Sequence, residues 1–178
     1  MLAAMMMTGI AMFRKLGGAA ILAGNLTFTS AAINSAEQGS EAARAWLMGS
    51  STAALANSSA GYFPASCYTN TAQTVDCAAA GAPGPFDPTA FAWDDAVSAL
   101  VTADDGAGNE IRYVIHRLCG KTGSVSATGQ MCSYSSTVTT VVHTDEREIN
   151  VSVAPLYRIT TRARGPRNTV AYTQLTMF

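Results

Sequence analysis

Between residues 27 and 56, apolar and small residues recur three and four positions apart, through Phe28, Ala32, Ala36, Gly39, Ala43, Trp46 and Leu47. A helix turns about 100° per residue, so this spacing predicts one amphipathic helix with a single buried stripe. Glu37, Glu41 and Arg44 fall on the opposite side, and Glu41 stands three residues ahead of Arg44, an ion-pair spacing on a solvated face. Small residues fill much of the stripe, so a sheet or a second helix can approach it closely. The helix is expected to end near residues 57–61, ahead of Pro64. Pro64, Gly81, Pro83, Gly84, Pro85 and Pro88 interrupt any period over 62–88, which reads as loop. Asp87 as N-cap and Pro88 at the first helical position then predict a short helix over 91–101, with Trp93, Val97, Leu100 and Val101 as its stripe.

Past Asp104-Asp105-Gly106 the propensities change. Residues 111–119 and 137–143 are rich in β-branched and aromatic side chains and read as strands. Over 156–164, Tyr157, Ile159, Thr161 and Ala163 alternate with Arg158, Thr160, Arg162 and Arg164, which predicts a strand with one buried and one solvated face. Gly165-Pro166-Arg167-Asn168 is turn chemistry, and 169–178 returns as the second arm of a C-terminal hairpin, ending inside the sheet. One long helix followed by about four antiparallel strands is an α+β pattern, with the helix covering one sheet face.

The N-terminus is apolar: residues 1–13 carry no charge, Arg14 and Lys15 follow, and 16–26 are again uncharged. A bilayer-spanning helix needs about 20 apolar residues, and the run before Arg14 is shorter. The basic residues follow the apolar run, the reverse of a secretory signal, so Met1 is expected to lie inside a longer hydrophobic helix. Gly17, Gly18 and Gly24 lower helix propensity there, and local melting is expected. Charged residues make up 13% of the chain and the net charge is -1, which argues against a basic nucleic-acid-binding field. Cys67, Cys77, Cys119 and Cys132 form no metal-type spacing and read as disulfides. Of the three connectivities, the sequence-local one, Cys67 with Cys77 and Cys119 with Cys132, closes two short loops and needs no long-range assumption. Disulfides imply an oxidising compartment; the competing reading is four buried thiols in a cytosolic protein.

Candidate chemistry is sparse. His116 and His143 lie in strands with no second metal-type ligand near them in sequence, and no serine sits in a nucleophile-elbow context. Asp104, Asp105, Asn109 and Glu110 do not follow a calcium-loop spacing and are expected to form a turn around Gly106 and Gly108. Arg158, Arg162, Arg164 and Arg167 are the one basic concentration, read as the wet side of a strand. Met1, Met5, Met6, Met7 and Met12 read as packing in an apolar helix. No catalytic, cofactor-binding or metal-binding set is expected.

Gly9-Ile10-Ala11-Met12-Phe13-Arg14, then Leu22-Ala23-Gly24-Asn25-Leu26, then Ala36-Glu37 and Glu41-Ala42-Ala43 resemble the N-terminal region of PilX-type minor pilins, assembly proteins of type IV pili. Near the other end, Tyr157-Arg158-Ile159-Thr160 and Gly165-Pro166-Arg167-Asn168-Thr169-Val170 are similar to that family's last two strands and their turn. Tyr113-Val114-Ile115 through Leu118-Cys119, with Cys132 downstream, resembles its first strand and disulfide-closed loop. The likeness spans the first and last thirds of the chain. The basic leader and early glutamate of prepilins have no counterpart, so an N-terminally truncated start is expected.

The resemblance implies a partial anchor and assembly helix over 1–26, with Met12, Phe13, Arg14, Leu22, Gly24, Asn25, Leu26, Phe28 and Trp46 as assembly-helix residues. It implies a periplasmic pilin-like domain over 27–178, comprising helix 27–56, loop and short helix 62–103 and sheet 111–178. Tyr157, Arg158, Gly165, Pro166, Arg167 and Asn168 carry its C-terminal hairpin motif. The implied function is pilus assembly initiation or a place in the tip complex, through helix–helix and loop contacts. Implied partners are other major and minor pilins and a PilY-type tip protein, with the inner membrane as host before assembly and the pilus fibre or tip as destination. A type II secretion pseudopilin and a membrane-anchored surface adhesin are the alternatives; no nucleic-acid partner and no enzymatic activity are expected.

Overall fold

The computed structural model describes the backbone of residues 2–67, 75–143 and 146–178 and the side chains of 23–67, 75–136 and 153–178. A single helix, α1 (Leu2–Gly49), opens the chain. Among its described side chains, Ala32, Ser35, Ala36, Gly39, Ser40, Ala43 and Leu47 are the buried ones, the stripe legible in the spacing widened by two serines. Glu37, Glu41 and Arg44 are exposed, and Arg44 Nη1 lies 3.5 Å from Glu41 Oε2. The backbone stays helical through Gly17, Gly18 and Gly24, where the composition predicts melting. At the other end α1 stops at Gly49, short of the expected 56. Gly49, Ser50, Ser51 and Thr52 are weak helix formers, and Ser50 tightens the final turn, its N–H donating to Leu47 O at 3.2 Å and its hydroxyl to Trp46 O at 2.8 Å. Ala54–Ala56 then forms one 3-10 turn.

Among the described residues seven strands follow: β1 (Tyr62–Phe63), β2 (Ala99–Thr102), β3 (Glu110–Arg117), β4 (Tyr134–His143), β5 (Glu146–Pro155), β6 (Tyr157–Arg164) and β7 (Val170–Met177). β3 is central, with β6 and then β7 on one side, while β1 and β2 share its other edge. β1 runs parallel to β3, Tyr62 opposite Ile115, and the remaining pairs are antiparallel. The architecture is therefore α+β with a mixed sheet, a correction to the expected antiparallel one. β4 and β5 leave that sheet altogether and pair only with each other, Tyr134 opposite Pro155 and His143 opposite Glu146. Leu118, Ser133 and Leu156 join the hairpin to the body: Leu118 N donates to Leu156 O, Ser133 N to Leu118 O and Leu156 N to Ser133 O, each at 2.8 Å.

On the helix side of the sheet, Ala43 and Leu47 pack with Tyr62, Tyr113, Ile115, Tyr157 and Ile159. Ala32 and Ala36 meet Ala163 and Ala171, small residues on both surfaces that bring helix and sheet close. The opposite face is covered too. Phe63, Ala65, Phe86 and Val114 form a second core against which Phe91, Trp93 and Val97 pack half-buried. The expected short helix over 91–101 does not form. Asp87 Oδ1 accepts the Thr89 N–H at 2.8 Å in a turn, Trp93 Nε1 donates to Pro88 O at 2.8 Å, and Ala99–Thr102 is strand. Burial of Phe91 and Trp93 on the sheet outweighs the helical period that their spacing allowed. For the same reason the second face of β6 is not solvated: Arg158 and Arg162 lie half-buried under this aromatic cover.

Candidate protein-docking surface

Two stapled loops cap one end of the sheet. Cys67 is bonded to Cys77, with Cα atoms 5.7 Å apart, and Cys119 to Cys132, with Cα atoms 3.9 Å apart. Both are the sequence-local pairs. The loops lie against each other: Ser66 N donates to Cys119 O at 2.9 Å and Cys77 N to Gly120 O at 2.7 Å. Lys121 Nζ closes the contact 3.1 Å from Asp76 Oδ2. The Ala78 N–H and then Lys121 hold the Asp76 carboxyl below the usual carboxylate range.

The C-terminal turn is tied to α1. Arg167 and Asn168 take φ of 56° and 60°, a left-handed pair that only a tightly held turn imposes on non-glycine residues. Asn109 is buried beneath the turn, and its Oδ1 occupies the place that a Cβ on Gly165 would need. Asn109 Nδ2 donates to Ser35 Oγ at 3.0 Å and to Asp105 Oδ2 at 2.8 Å, while Ser35 Oγ donates to Asp105 Oδ2 at 2.5 Å. Asp105 Oδ1 also accepts the N–H groups of Ala107 and Asn109, and Asp104 Oδ1 those of Gly106 and Gly108. Both carboxylates are thus turn-forming groups.

These bonds, first from Ser35 and then from Asn109, push the Asp105 carboxyl well below its ordinary pKa. A depressed folded-state pKa stabilises the fold above the unfolded value, about 4, and that gain is lost as pH falls through the folded value. Asp105→Ala is expected to cost about 1–2 kcal/mol at neutral pH, discounted for partial exposure. Chemical denaturation from neutral to strongly acid pH should find the two proteins converging only below the usual carboxylate range.

Four arginines are interior. Arg112 Nη2 lies 2.7 Å from Asp95 Oδ1, and Arg112 and Arg162 share Glu110 Oε1. The Arg158 guanidinium stands 5.4 Å over the Phe86 ring, and burial lowers its pKa; that of Arg162 stands 5.3 Å over Trp93. Arg117, 1% exposed, donates to Leu55 O at 2.9 Å and to Gly123 O, pinning the residues after α1. Tyr62 donates its hydroxyl to the same Leu55 O at 2.8 Å, and burial pushes that phenol up. The basic concentration read as a wet strand face divides evenly, Arg158 and Arg162 half-buried and Arg164 and Arg167 on the surface.

The residues assigned to assembly divide into groups. The side chains of Met12, Phe13, Arg14 and Leu22 lie outside the described residues, as do Met1, Met5, Met6, Met7 and the ring of His143. Leu26 is 66% exposed, Asn25 is exposed, and a Cβ on Gly24 would meet nothing within 4 Å. Phe28 is half-buried beneath the Arg167 guanidinium, 5.4 Å away, which brings the helix to the hairpin turn. Trp46 belongs to the core, its ring 5.2 Å from that of Tyr62. Tyr157 is buried in the same core, and Arg158 donates to Ser66 O at 3.2 Å. His116 is fully buried, 4.4 Å from Phe86 between ring centroids. Among the described residues no group of His, Cys, Asp or Glu could hold a metal ion, and no helix is long and apolar enough to cross a membrane.

The exposed large apolar side chains include two sets, Leu26 and Ile33 on α1, and Val170, Tyr172 and Leu175 on β7 with Phe178 just beyond it. The sequence reading missed the second. Its signal is the stretch 169–178, which holds no charge, proline or glycine. Comparison of the chain with protein-family models, with curated proteins and with solved structures finds no match in any of the three.

Proposed function

We propose that the chain is a pilin-type assembly subunit, a minor pilin resembling the PilX type, that works through protein contacts rather than catalysis. One observation carries this reading: a single N-terminal helix is far longer than the sheet it packs on. At about 1.5 Å per residue, 48 helical residues extend roughly 72 Å, against about 27 Å for an eight-residue strand. The fully buried stripe that meets the sheet runs from Ala32 to Leu47, and of residues 23–31 none is fully buried, Phe28 alone reaching the hairpin turn through Arg167. A helix built this way can hold its globular end with one half and offer the other to lipid or to neighbouring helices. Two disulfides support an oxidising, extracytoplasmic setting.

Loss of fibres on deletion of the gene, restored by the native chain, is the expected result. Leu26→Asp should fail to restore them, although its thermal midpoint stays within a degree or two because the side chain is exposed. Normal fibres with lost attachment would instead favour the adhesin reading. Normal fibres with a block in protein secretion would favour the pseudopilin.

A further inference from the structure

We infer that the outer edge of β7 docks an extended strand of a partner polypeptide that carries lysine or arginine at alternate positions. This inference is independent of the pilin reading. β7 is the last strand of the sheet and pairs only with β6. Gly165 N donates to Thr169 O at 2.7 Å, which fixes the hydrogen-bonding phase of the hairpin. Because facing residues in an antiparallel pair alternate between bonded and unbonded, Ala171, Thr173, Leu175 and Met177 turn their backbone groups toward β6. Val170, Tyr172, Gln174 and Thr176 therefore turn theirs outward, a ladder with no second strand among the described residues.

Natural sheets guard such edges with charge, proline, bulges or very short strands. The opposite edge of this sheet follows that rule: β1 and β2 are short, and the pairing of β2 is irregular between Leu100 and Thr102. β7 has none of these devices. Its eight residues include no charge and no proline, and Val170, Tyr172 and Leu175 are exposed along it. An undefended edge of this length fits a strand-adding interaction surface.

Chemistry beside the edge selects the partner. Between α1 and β7 runs an open groove of about 350 Å³ lined by Glu37, Ser40, Glu41, Thr173, Gln174 and Leu175. A strand added to β7 would place every second side chain over this groove. Ser40 and Thr173, linked through their hydroxyls at 3.4 Å, form its floor, and the exposed Glu37 and Glu41 form its rim. Glu41 shares its charge with the exposed Arg44, while Glu37 makes no ion pair among the described residues. Cationic side chains answer that rim. A second copy docking by its own β7 would bring no charge to Glu37 and Glu41, since that strand is uncharged, and would set two acidic rims side by side.

The test titrates the full chain with a short acetylated and amidated peptide alternating lysine with valine. Saturable binding is expected, weakened at least about tenfold when glutamate replaces lysine or when the backbone nitrogens facing β7 are methylated. Gln174→Pro removes an outward N–H without touching the backbone ladder to β6, at the cost of the 3.0 Å bond that Gln174 Nε2 donates to Thr160 Oγ1, so it should weaken binding similarly while the thermal midpoint falls by only a few degrees. Glu37→Lys combined with Glu41→Lys, both on the solvated face, should reverse the preference toward the glutamate peptide. Absence of saturable binding, equal binding of the two peptides, or indifference to backbone methylation would overturn the inference. So would a dimer in sedimentation that Gln174→Pro dissolves, since a second copy would then own the edge.

Discussion

Removing the Cys119–Cys132 bond by a double change to serine is expected to lower stability by about 3 kcal/mol and the melting midpoint by roughly 6–12 °C. The bond closes a loop of 13 residues in sequence separation and joins its ends where they already face each other as an isolated bridge. Cutting it lengthens the unfolded chain's freedom. It also loosens the foot of the β4–β5 hairpin, because Ser133, one residue beyond Cys132, bonds Leu118, and Leu156 bonds Ser133. Amide exchange should accelerate at Leu118, Ser133 and Leu156 before it does at Ile115 or Ile159 in the core. Reduction of the native protein should produce the same pattern. An unchanged midpoint would mean that the surrounding hydrogen bonds hold the loop without the sulfur link. Cys67 and Cys77 change to serine with a similar expected loss, yet the two losses should not simply add, since the loops are bonded to each other through Ser66, Cys77, Cys119 and Gly120.

Which parts of this fold were legible in the sequence follows from how each segment is stabilised. The α1 stripe was readable because one face of the helix meets one continuous surface, so burial repeats with its period, whereas the alternation of β6 marked a strand but not the aromatic cover that lies over its second face. The turn at 165–168 was readable because its residues set their own backbone. β1 left no trace, since two residues cannot display a period. The segment around Trp93 misled because Asp87-Pro88 is chemically a helix start, while the aromatic residues after it bury themselves on a sheet that lies elsewhere in the sequence. β5 had a signal that was passed over: Ile149, Val151 and Val153 alternate with polar residues. Its partner β4 was recognised, but nothing in either strand's local pattern tells a free-standing hairpin from strands of the main sheet. The exposed edge of β7 was hidden for a related reason, as strand order is a property of pairing and not of composition.

The seam between α1 and the sheet should be the least tolerant of added volume. Gly39 lies at the buried centre of the helix stripe, and a Cβ there would overlap Thr161 Cγ2 and come within 2.8 Å of Ile111 Cγ2. Both obstacles belong to β-branched side chains that are fully buried and hold few alternative rotamers. On an exposed helix, glycine to alanine would stabilise by about 1 kcal/mol. At Gly39 that gain opposes an overpacking cost of about 1–3 kcal/mol, so Gly39→Ala is expected to lower stability slightly. Gly39→Val adds two methyls to the same space and should cost roughly 3 kcal/mol or more, moving the helix off Ala163 and Ala171 and weakening the alanine contacts at that end. Gly24→Ala supplies the contrast within the same helix, because nothing lies within 4 Å of its would-be Cβ, and it should raise stability by up to about 1 kcal/mol. Denaturant midpoints of the three variants, measured side by side, check the whole argument: a Gly39→Val protein as stable as Gly24→Ala would mean that helix and sheet are not in close contact at this position.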